Sequence, residues 1–184
     1  MKVSITGHTE SLGKSIFENL SQKHSVSGYS KSTGWDFDDD NVMDRMIEEV
    51  GSSDVFINSA FHCQWLILPK VIDKFKFNED KLIINIGSFH SYTQPDDDYG
   101  KIKNLLKQMC FDAQADPEIK CRVVNISPSL ISETNASIGK ESIAMLSTND
   151  VCRVINFIID SPPHFLVNEM AFSNKDLARS FHDS

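Results

Sequence analysis

Short strand-like runs and helix-like segments alternate along the whole chain, and this order constrains the fold more than any other feature. Lys2–Thr6 (KVSIT) and Lys81–Ile86 (KLIINI) are apolar runs of strand length, whereas Ser11–Gln22 has apolar residues at helical spacing. Strands separated by helices of ten or more residues imply βαβ units and a parallel sheet. Right-handed crossovers then place helices on both faces of that sheet. We therefore predict a three-layer, doubly wound α/β fold with six to seven parallel strands.

Three details of the predicted elements can be checked directly. Pro69 should limit where the third helix starts, because proline suits a first turn. Asp150 should cap the last helix, which ends at Asp160 before two prolines. The helix 99–113 should bury an apolar stripe of Ile102, Leu105, Leu106, Met109 and Cys110. The remaining predicted strands are 25–29, 54–58, 120–126 and 164–168, and the remaining predicted helices are 41–50 and 66–75.

Composition excludes several classes of protein. A net charge of −8 over 184 residues argues against a nucleic-acid binder, whose surface would carry a basic stripe. The strongly apolar runs are far shorter than the roughly 20 residues that cross a bilayer, so we expect no membrane partner. The start of the chain lacks the features of a secretory signal, which favours a cytoplasmic protein. The four cysteines are widely spaced and show no metal-ligand pattern, so we expect buried thiols and no metal.

The segment from Thr6 to Gly13 (TGHTESLG) follows the first strand and opens the first helix. In this position a glycine-rich turn cradles a pyrophosphate with backbone amides. Gly7 can take the tight-turn geometry that a side chain would forbid, and Gly13 lets the helix pack closely on the sheet. Ser11 stands where such turns usually carry another glycine. The loop therefore predicts a dinucleotide site in a Rossmann-type domain spanning residues 1–184.

At this loop the chain resembles the short-chain dehydrogenase/reductase family, whose fingerprint Thr-Gly-x-x-x-Gly-x-Gly it matches at three of four fixed positions. Three further segments occur in the same order as in the family. Asp36-Phe37 resembles the pair of residues that follows the family's third strand and lies beside the adenine ring, and Asn58-Ser59-Ala60 resembles the Asn-Asn-Ala-Gly segment after its fourth strand. Asn125 to Pro128 resembles the segment that follows its sixth strand and lies beside the nicotinamide. The resemblance covers roughly residues 1–170. It implies a cofactor site formed by Gly7, His8, Ser11, Leu12, Gly13, Ser30, Lys31, Asp36, Phe37, Asn58, Ser59, Ala60 and Pro128.

The cofactor that the resemblance implies is NADP or NAD. An acidic residue at the end of the second strand would bind the ribose 2′-hydroxyl of NAD, but this chain has Ser30 and Lys31 there. Those side chains could meet a 2′-phosphate and favour NADP. Glu10 opposes that choice, since it would lie near the same phosphate and repel it.

The resemblance also implies three catalytic residues. Tyr99 and Lys103 form the Tyr-x-x-x-Lys pair, and Ser88 ends the strand before them. Residues four apart share one face of a helix, so the cation lies near the phenol and favours its ionised form. The phenol would move a proton at the oxygen of a small carbonyl or alcohol, while the nicotinamide moves a hydride.

Several departures leave alternatives open. The segment between Ala60 and Leu82 is short, and no residue matches the asparagine that the family carries on its fourth helix. The run Asp96–Asp98 abuts Tyr99 and could raise its pKa, or could only cap the helix. The segment 129–148, which would cover the substrate, is also short. The chain could therefore be a nucleotide-binding or sensor protein that lost its chemistry, or an α/β scaffold without a nucleotide.

Family members commonly pair the helices that follow their fourth and fifth strands in dimers or tetramers. The apolar stripe on the helix 99–113 permits a homodimer or homotetramer of this chain. Apart from such a copy, the partner that the sequence implies is a small-molecule substrate.

Overall fold

A computed structural model describes residues 1–129, 131 and 145–174 of the protein. Its six strands form one sheet in the order β2-β1-β3-β4-β5-β6, and every neighbouring pair is parallel. The prediction of a parallel sheet with six to seven strands is confirmed. The strands are β1 (Lys2–Thr6), β2 (Ser25–Tyr29), β3 (Val55–Asn58), β4 (Leu82–Ile86), β5 (Arg122–Pro128) and β6 (Glu169–Phe172).

Helices connect successive strands, as the alternation of the sequence requires. A short 3₁₀ turn at Lys31–Thr33 follows β2. The α-helices of the described residues are α1 (Ser11–Leu20), α2 (Asp40–Val50), α3 (Gln64–Phe75), the four-residue α4 (His90–Thr93), α5 (Asp98–Ala115) and α6 (Thr148–Asp160). No helix in this part of the chain combines the length and the apolar character that a membrane span needs.

Two apolar layers hold the helices on opposite faces of the sheet. On one face, α1 and α6 pack through residues such as Ile16 and Ile155 against strand residues such as Ile5 and Ile84. On the other face, α2, α3 and α5 pack through residues such as Met46 against Phe56 of β3. Burial of apolar area from both sides of the sheet stabilises the fold. This is the three-layer doubly wound arrangement predicted from the sequence.

The strand order reverses direction between β1 and β3, which lie side by side while their crossovers run to opposite sides. In open parallel sheets a ligand binds at this point, outside the carboxyl ends of the strands. The residues that follow β1, β3, β4 and β5 therefore lie around one opening. Compared with the common Rossmann order 3-2-1-4-5-6, the described residues place no strand beyond β2 at this edge of the sheet. Asp36-Phe37 consequently follows a 3₁₀ turn and not a strand.

Three predictions about helix ends and the last strand are wrong. Ser147 caps α6, and Asp150 forms the third position of a capping box, its carboxylate accepting from the Ser147 amide at 3.0 Å. Pro69 lies inside α3, on an exposed side where water can bind the carbonyl that a proline leaves without a donor. The last strand is β6 and not 164–168, because Phe165 of that run packs against Phe157 of α6.

The buried face of α5 also differs from the prediction. Ile102 and Leu105 are 43% and 50% exposed, whereas Lys103 is only 5% exposed. The apolar spacing did not indicate this burial, because a charged side chain is rarely buried without a partner. The buried residues of this helix are Gly100, Lys103, Leu106, Cys110 and Ala113.

Candidate functional site

A cleft of about 1880 Å³ opens at the carboxyl ends of the strands, where the strand order reverses. It runs from the loop after β2, across the loop after β1, to α4 and the start of α5. Ser88, Tyr99 and Lys103 all line it. So do eleven of the thirteen residues expected to bind a cofactor: Gly7, Ser11, Leu12, Gly13, Ser30, Lys31, Asp36, Phe37, Ser59, Ala60 and Pro128.

The loops after β1 and β3 are joined tightly at the floor of the cleft. The Thr6 hydroxyl accepts from the amides of Ser59 and Ala60 at 3.0 and 3.1 Å. Gly7 has a φ of 71°, and a Cβ on it would lie 2.9 Å from the Ala60 Cα atom. A side chain at residue 7 would therefore suffer both backbone strain and a collision. These contacts explain why the sequence needs threonine followed by glycine here.

The amino end of α1 faces the cleft without a side-chain cap. The amides of the first turn of a helix have no partner inside the helix. Glu10, which precedes α1, makes no capping hydrogen bond with its side chain, so it does not supply one. Ser11 has a φ of 47°, the left-handed region that favours glycine. The backbone thus takes the glycine-type turn even though a serine stands there. Unpaired amides and the helix dipole at such an end can bind a phosphate group.

A buried hydroxyl on the opposite side of the cleft also lacks a partner. The Ser129 Oγ atom is buried and makes no hydrogen bond within the part of the chain that the structure describes. Ser129 lines the cleft directly after Pro128 and β5. A buried polar atom without a partner is costly, and a ligand carrying an amide would satisfy it. Together with the uncapped amides of α1, this atom fits a nicotinamide dinucleotide.

The end of the cleft next to β2 is charged. The Lys31 Nζ atom lies 2.8 Å from the Asp36 carboxylate and 3.5 Å from that of Asp38. The hydrogen bond between Lys31 and Asp36 raises the pKa of the lysine and lowers the pKa of the aspartate. The cation expected to favour a 2′-phosphate is therefore already paired with two carboxylates. Both aspartates line the cleft beside it.

Two of the expected cofactor residues lie behind the wall of the cleft. The His8 ring covers Gly28, where a Cβ would lie 2.3 Å from the ring, and its Nδ1 atom lies 3.0 Å from the Ser30 hydroxyl. Burial lowers the pKa of His8. The Asn58 side chain is fully buried. Both residues support the loops that line the cleft rather than lining it themselves.

Asn58 belongs to a buried row of amides that crosses the sheet. It donates to the Asn85 Oδ1 atom at 3.0 Å, and Asn85 donates to the Asn125 Oδ1 atom at 2.8 Å. Asn125 in turn donates to the Glu169 carboxylate at 3.0 Å. The four residues are direct neighbours in the register of β3 to β6. The row fixes the carboxyl ends of these strands relative to one another.

Ser88, Tyr99 and Lys103 converge on one corner of the cleft. Burial raises the pKa of the Tyr99 phenol, and a hydrogen bond with the Ser88 hydroxyl opposes that rise. The Lys103 Nζ atom lies 5.5 Å from the centre of the Tyr99 ring. A hydroxyl, a phenol and an ammonium group thus face the same space. This arrangement can hold the oxygen of a carbonyl or alcohol and exchange a proton with it.

Lys103 is held by neutral oxygen atoms. Its Nζ atom donates to the Gln64 Oε1 atom at 2.5 Å and to the Ile86 carbonyl at 3.1 Å. Burial lowers the pKa of Lys103 to about 8. Gln64 is also buried, and its Nε2 atom donates to the Asn58 carbonyl at 2.7 Å. Gln64 therefore ties the lysine to the ends of β3 and β4.

The acidic run before Tyr99 caps the helix. The Asp97 carboxylate accepts from the Gly100 amide at 2.6 Å and, through its other oxygen, from the His90 Nε2 atom at 2.6 Å. These hydrogen bonds lower the pKa of Asp97. The rise in the pKa of Tyr99 comes from burial, so of the two roles considered for this run, the structure supports capping.

Two residues of the cleft were missed by sequence reasoning. Gln64 gave no signal, because a glutamine before an apolar stretch is read as the polar start of a helix. Ser129 was noted only as part of the segment after Pro128. For Phe61 the sequence allows a place in a pocket but favours core packing; the ring is 72% exposed beside Tyr99, so core packing is wrong.

The expected cover of the substrate, residues 129–148, lies for the most part outside the described residues. Within the described ranges, no group of three or more histidine, cysteine, aspartate or glutamate side chains could hold a metal ion.

Sequence comparison gives no relative: no family model matches the chain, and no curated protein matches it. Structural comparison finds solved proteins with a similar fold. A β-ketoacyl-[ACP] reductase from Bacteroides thetaiotaomicron superposes with a TM-score of 0.74 at 15% identity, over 96% of this chain and 99% of that one. NAD⁺-bound xylitol dehydrogenase gives 0.72 at 15% identity, over 94% and 97%. The closed form of serine dehydrogenase complexed with NADP⁺ gives 0.70 at 17% identity, over 95% and 95%.

The likeness to these dehydrogenases and reductases confirms, at the level of the fold, the resemblance that the sequence motifs indicated.

Proposed function

We propose that this protein is an NAD(P)-dependent oxidoreductase that transfers a hydride between a nicotinamide cofactor and a small carbonyl or alcohol. One observation carries the proposal. Ser88, Tyr99 and Lys103 line the same cleft as the uncapped amino end of α1. A proton-transfer group and a phosphate site meet where the doubly wound fold binds ligands. The structural neighbours described as NAD⁺- or NADP⁺-bound support the same chemistry.

The residues of this chain would act in the following way. The amides of Ser11 and its neighbours would bind the diphosphate, and the Ser129 hydroxyl would bind the carboxamide. The bound nicotinamide supplies or accepts the hydride. The Ser88 hydroxyl would orient the substrate oxygen beside the phenol. Burial raises the pKa of Tyr99, so the phenol carries its proton at neutral pH and can give it to a carbonyl oxygen during reduction.

Lys103 would assist this proton transfer by its charge. An ammonium group near the phenol favours the phenolate that forms as the proton leaves. Because burial lowers the pKa of Lys103 to about 8, we expect reduction to slow as the lysine loses its proton above that pH.

We propose that the cofactor is NADP or NAD. Ser30 and Lys31 support NADP, as the sequence suggested, and Glu10 together with Asp36 and Asp38 opposes it. The pairing of Lys31 with Asp36 and Asp38 leaves a net negative group at this end of the cleft, which supports NAD. We also propose that the protein works in the cytoplasm, since its four cysteines are free thiols.

A nucleotide-binding protein without turnover is the second proposal. It is favoured by the exposed Phe61 ring, which stacks at 16° on the Tyr99 ring with the centroids 6.0 Å apart. In that position the ring could shield the phenol from a substrate. This protein would bind NAD(H) or NADP(H) and exchange no hydride.

The variant Tyr99→Phe separates the two proposals. In the oxidoreductase it removes the proton donor, so we expect turnover of a carbonyl panel to fall by roughly 10² or more. Binding of NADH or NADPH, followed by its fluorescence, should stay within about twofold, since the ring and its packing are kept.

Turnover in Tyr99→Phe equal to that of the wild type would exclude the phenol as the acid. Wild-type protein that binds the cofactor but exchanges hydride with no member of the panel would support the second proposal.

A further inference from the structure

The cleft is larger than one ligand requires. Pockets for drug-sized ligands measure about 300–1,000 Å³, and this cleft measures about 1880 Å³. The loop after β1 and Ser129 line the parts of the cleft next to β1 and β5. Around Tyr99 the cleft is also lined by the loop after β3 and the helix α4. We call this part the ring-lined end; its walls include Phe61, Phe89, His90, Tyr92 and Tyr99.

Aromatic rings form this end, and two of the five are exposed. Phe61 is 72% exposed and Tyr92 is 43% exposed. The rings are ordered by contacts with one another: Phe89 lies 5.6 Å from Tyr92, and His90 lies 5.3 Å from Tyr99, between centroids. These separations fall in the range in which aromatic rings attract one another. A further planar ring could therefore gain contacts with the walls.

Among the described residues that line the ring-lined end, no cation lacks an oxygen partner. His90 donates to the Asp97 carboxylate at 2.6 Å. Lys103 donates to Gln64 and Ile86. The Lys107 Nζ atom lies 4.0 Å from the centre of the Tyr92 ring, but Lys107 does not line the cleft. A substrate carboxylate would therefore meet no unpaired cation on these walls, so they favour an uncharged molecule.

We propose that the substrate of this site is an uncharged aromatic carbonyl compound or the corresponding aryl alcohol. The inference rests on the proposed oxidoreductase function and adds the class of substrate. In reduction, the hydride from the reduced nicotinamide forms the new C–H bond at the carbonyl carbon. The carbonyl π bond breaks towards oxygen, which takes the proton of Tyr99. The products are the aryl alcohol and the oxidised cofactor, and Tyr99 regains a proton from water.

Phe61 provides the test, because its ring can be removed while its apolar character is kept. Benzaldehyde and cyclohexanecarbaldehyde have the same number of carbon atoms, but only the first is planar and aromatic. We expect Phe61→Leu to lower the ratio of kcat/KM for benzaldehyde over cyclohexanecarbaldehyde by about 2- to 10-fold, the range that one aromatic pair contributes. Because this ratio is compared between the wild type and the variant, the intrinsic difference in reactivity between the two aldehydes cancels.

A matched variant controls for the loss of an exposed phenylalanine. Phe77 is 78% exposed and lies outside the cleft, so Phe77→Leu should leave the ratio as in the wild type. We also expect 4-carboxybenzaldehyde to be reduced less efficiently than benzaldehyde. An unchanged ratio in Phe61→Leu, an equal change in Phe77→Leu, or a preference for the carboxylated aldehyde would overturn the inference.

A binding measurement separates failure of this inference from failure of the proposed function. With the reduced cofactor present, which cannot accept a hydride from an alcohol, saturation-transfer NMR compares the binding of benzyl alcohol with that of cyclohexylmethanol. Stronger binding of benzyl alcohol that Phe61→Leu abolishes, without hydride exchange, would support the ligand class while refuting the oxidoreductase. Reduction of both aldehydes with equal binding of the two alcohols would refute the ligand class alone.

Discussion

At the scale of single residues, Lys103 has the environment least expected for its type. The unfolded chain holds this proton up to about pH 10.4, whereas burial lowers the pKa in the folded protein to about 8. The folded state therefore releases the proton first, and the contribution of Lys103 to stability rises with pH between these values. The buried thiols of Cys110, Cys121 and Cys152 act in the opposite sense from about pH 8.5 upward, within the same range, since burial raises their pKa values.

Comparison with Lys103→Met isolates the contribution of the lysine. The free energy of unfolding of the wild type, minus that of the variant, should increase by up to about 3 kcal/mol between pH 8 and pH 10.4. Urea unfolding at several pH values measures this difference, in which the cysteine contributions cancel. If this difference in the free energy of unfolding stayed constant over the range, the ammonium group of Lys103 would be in contact with water and not buried.

Gln64 should act on the chemistry through Lys103. In Gln64→Glu a carboxylate replaces the neutral oxygen 2.5 Å from the ammonium group, which should raise the pKa of Lys103. The alkaline limb of the pH profile of kcat should then move to higher pH. Gln64→Leu should instead cost roughly 1–3 kcal/mol of stability, because the Asn58 carbonyl loses a donor and the buried Lys103 ammonium group loses an acceptor. A pH profile in Gln64→Glu that matches the wild type would argue against this positioning role.

The sequence indicated Ser88, Tyr99 and Lys103 through spacing, and the structure places all three on one cleft. Gln64 could not be found in this way. Its contact with Lys103 joins residues 39 positions apart, on different helices, and depends on how those helices pack. The burial of Lys103 was missed for the same reason, because its partners come from distant parts of the chain.

At the scale of elements, the turn into α1 combines a correct prediction with a strained residue. Ser11 has a φ of 47°, at a position where a left-handed conformation costs a non-glycine residue roughly 1–2 kcal/mol. Ser11→Gly should therefore increase stability by up to about 1 kcal/mol, since glycine also loses more entropy on folding. Thermal unfolding of Ser15→Gly, one turn later in the same helix, gives the control and should show destabilisation. A loss of stability in Ser11→Gly would contradict the strained turn.

The row of amides across β3 to β6 should couple those strands. In Asn85→Leu, the Asn58 amide loses an acceptor and the Asn125 oxygen loses a donor, both in buried positions. We expect a loss of roughly 2–5 kcal/mol in the free energy of unfolding. The exposed Asn41→Leu should change it by less than about 0.5 kcal/mol. Similar urea midpoints for both variants would show that the row does not stabilise the sheet.

At the scale of the whole molecule, the sequence predicted the layers, because the alternation of elements and right-handed crossovers leave few other arrangements. It could not predict where the sheet ends, since the edge strand β2 has a weak pattern and polar residues. Nor could it predict which face of α5 is buried, because apolar residues occur on both. Ile102 and Leu105 remain exposed, as do Trp65 and Leu66 of the neighbouring α3.

This exposed apolar face supports the proposal of a homodimer or homotetramer. Contiguous apolar patches on a protein surface mark interaction sites. Light scattering after gel filtration should give a mass of at least twice the 20.7 kDa of one chain. Leu105→Glu should shift the protein to the monomer, while Phe77→Glu, an exposed ring elsewhere, should not. A wild-type monomer at high concentration would refute the assembly.

The central claim is that the amino end of α1 binds the diphosphate of a nicotinamide dinucleotide. Isothermal titration with NAD⁺ and NADP⁺ tests it in the wild type, in Ser11→Glu and in Ser15→Glu. Ser11 is exposed and lines the cleft, whereas Ser15 does not line it. We expect one saturable site per chain, weakened roughly tenfold or more by Ser11→Glu and little changed by Ser15→Glu. No saturable binding of either dinucleotide, or equal affinity in Ser11→Glu and the wild type, would contradict the claim.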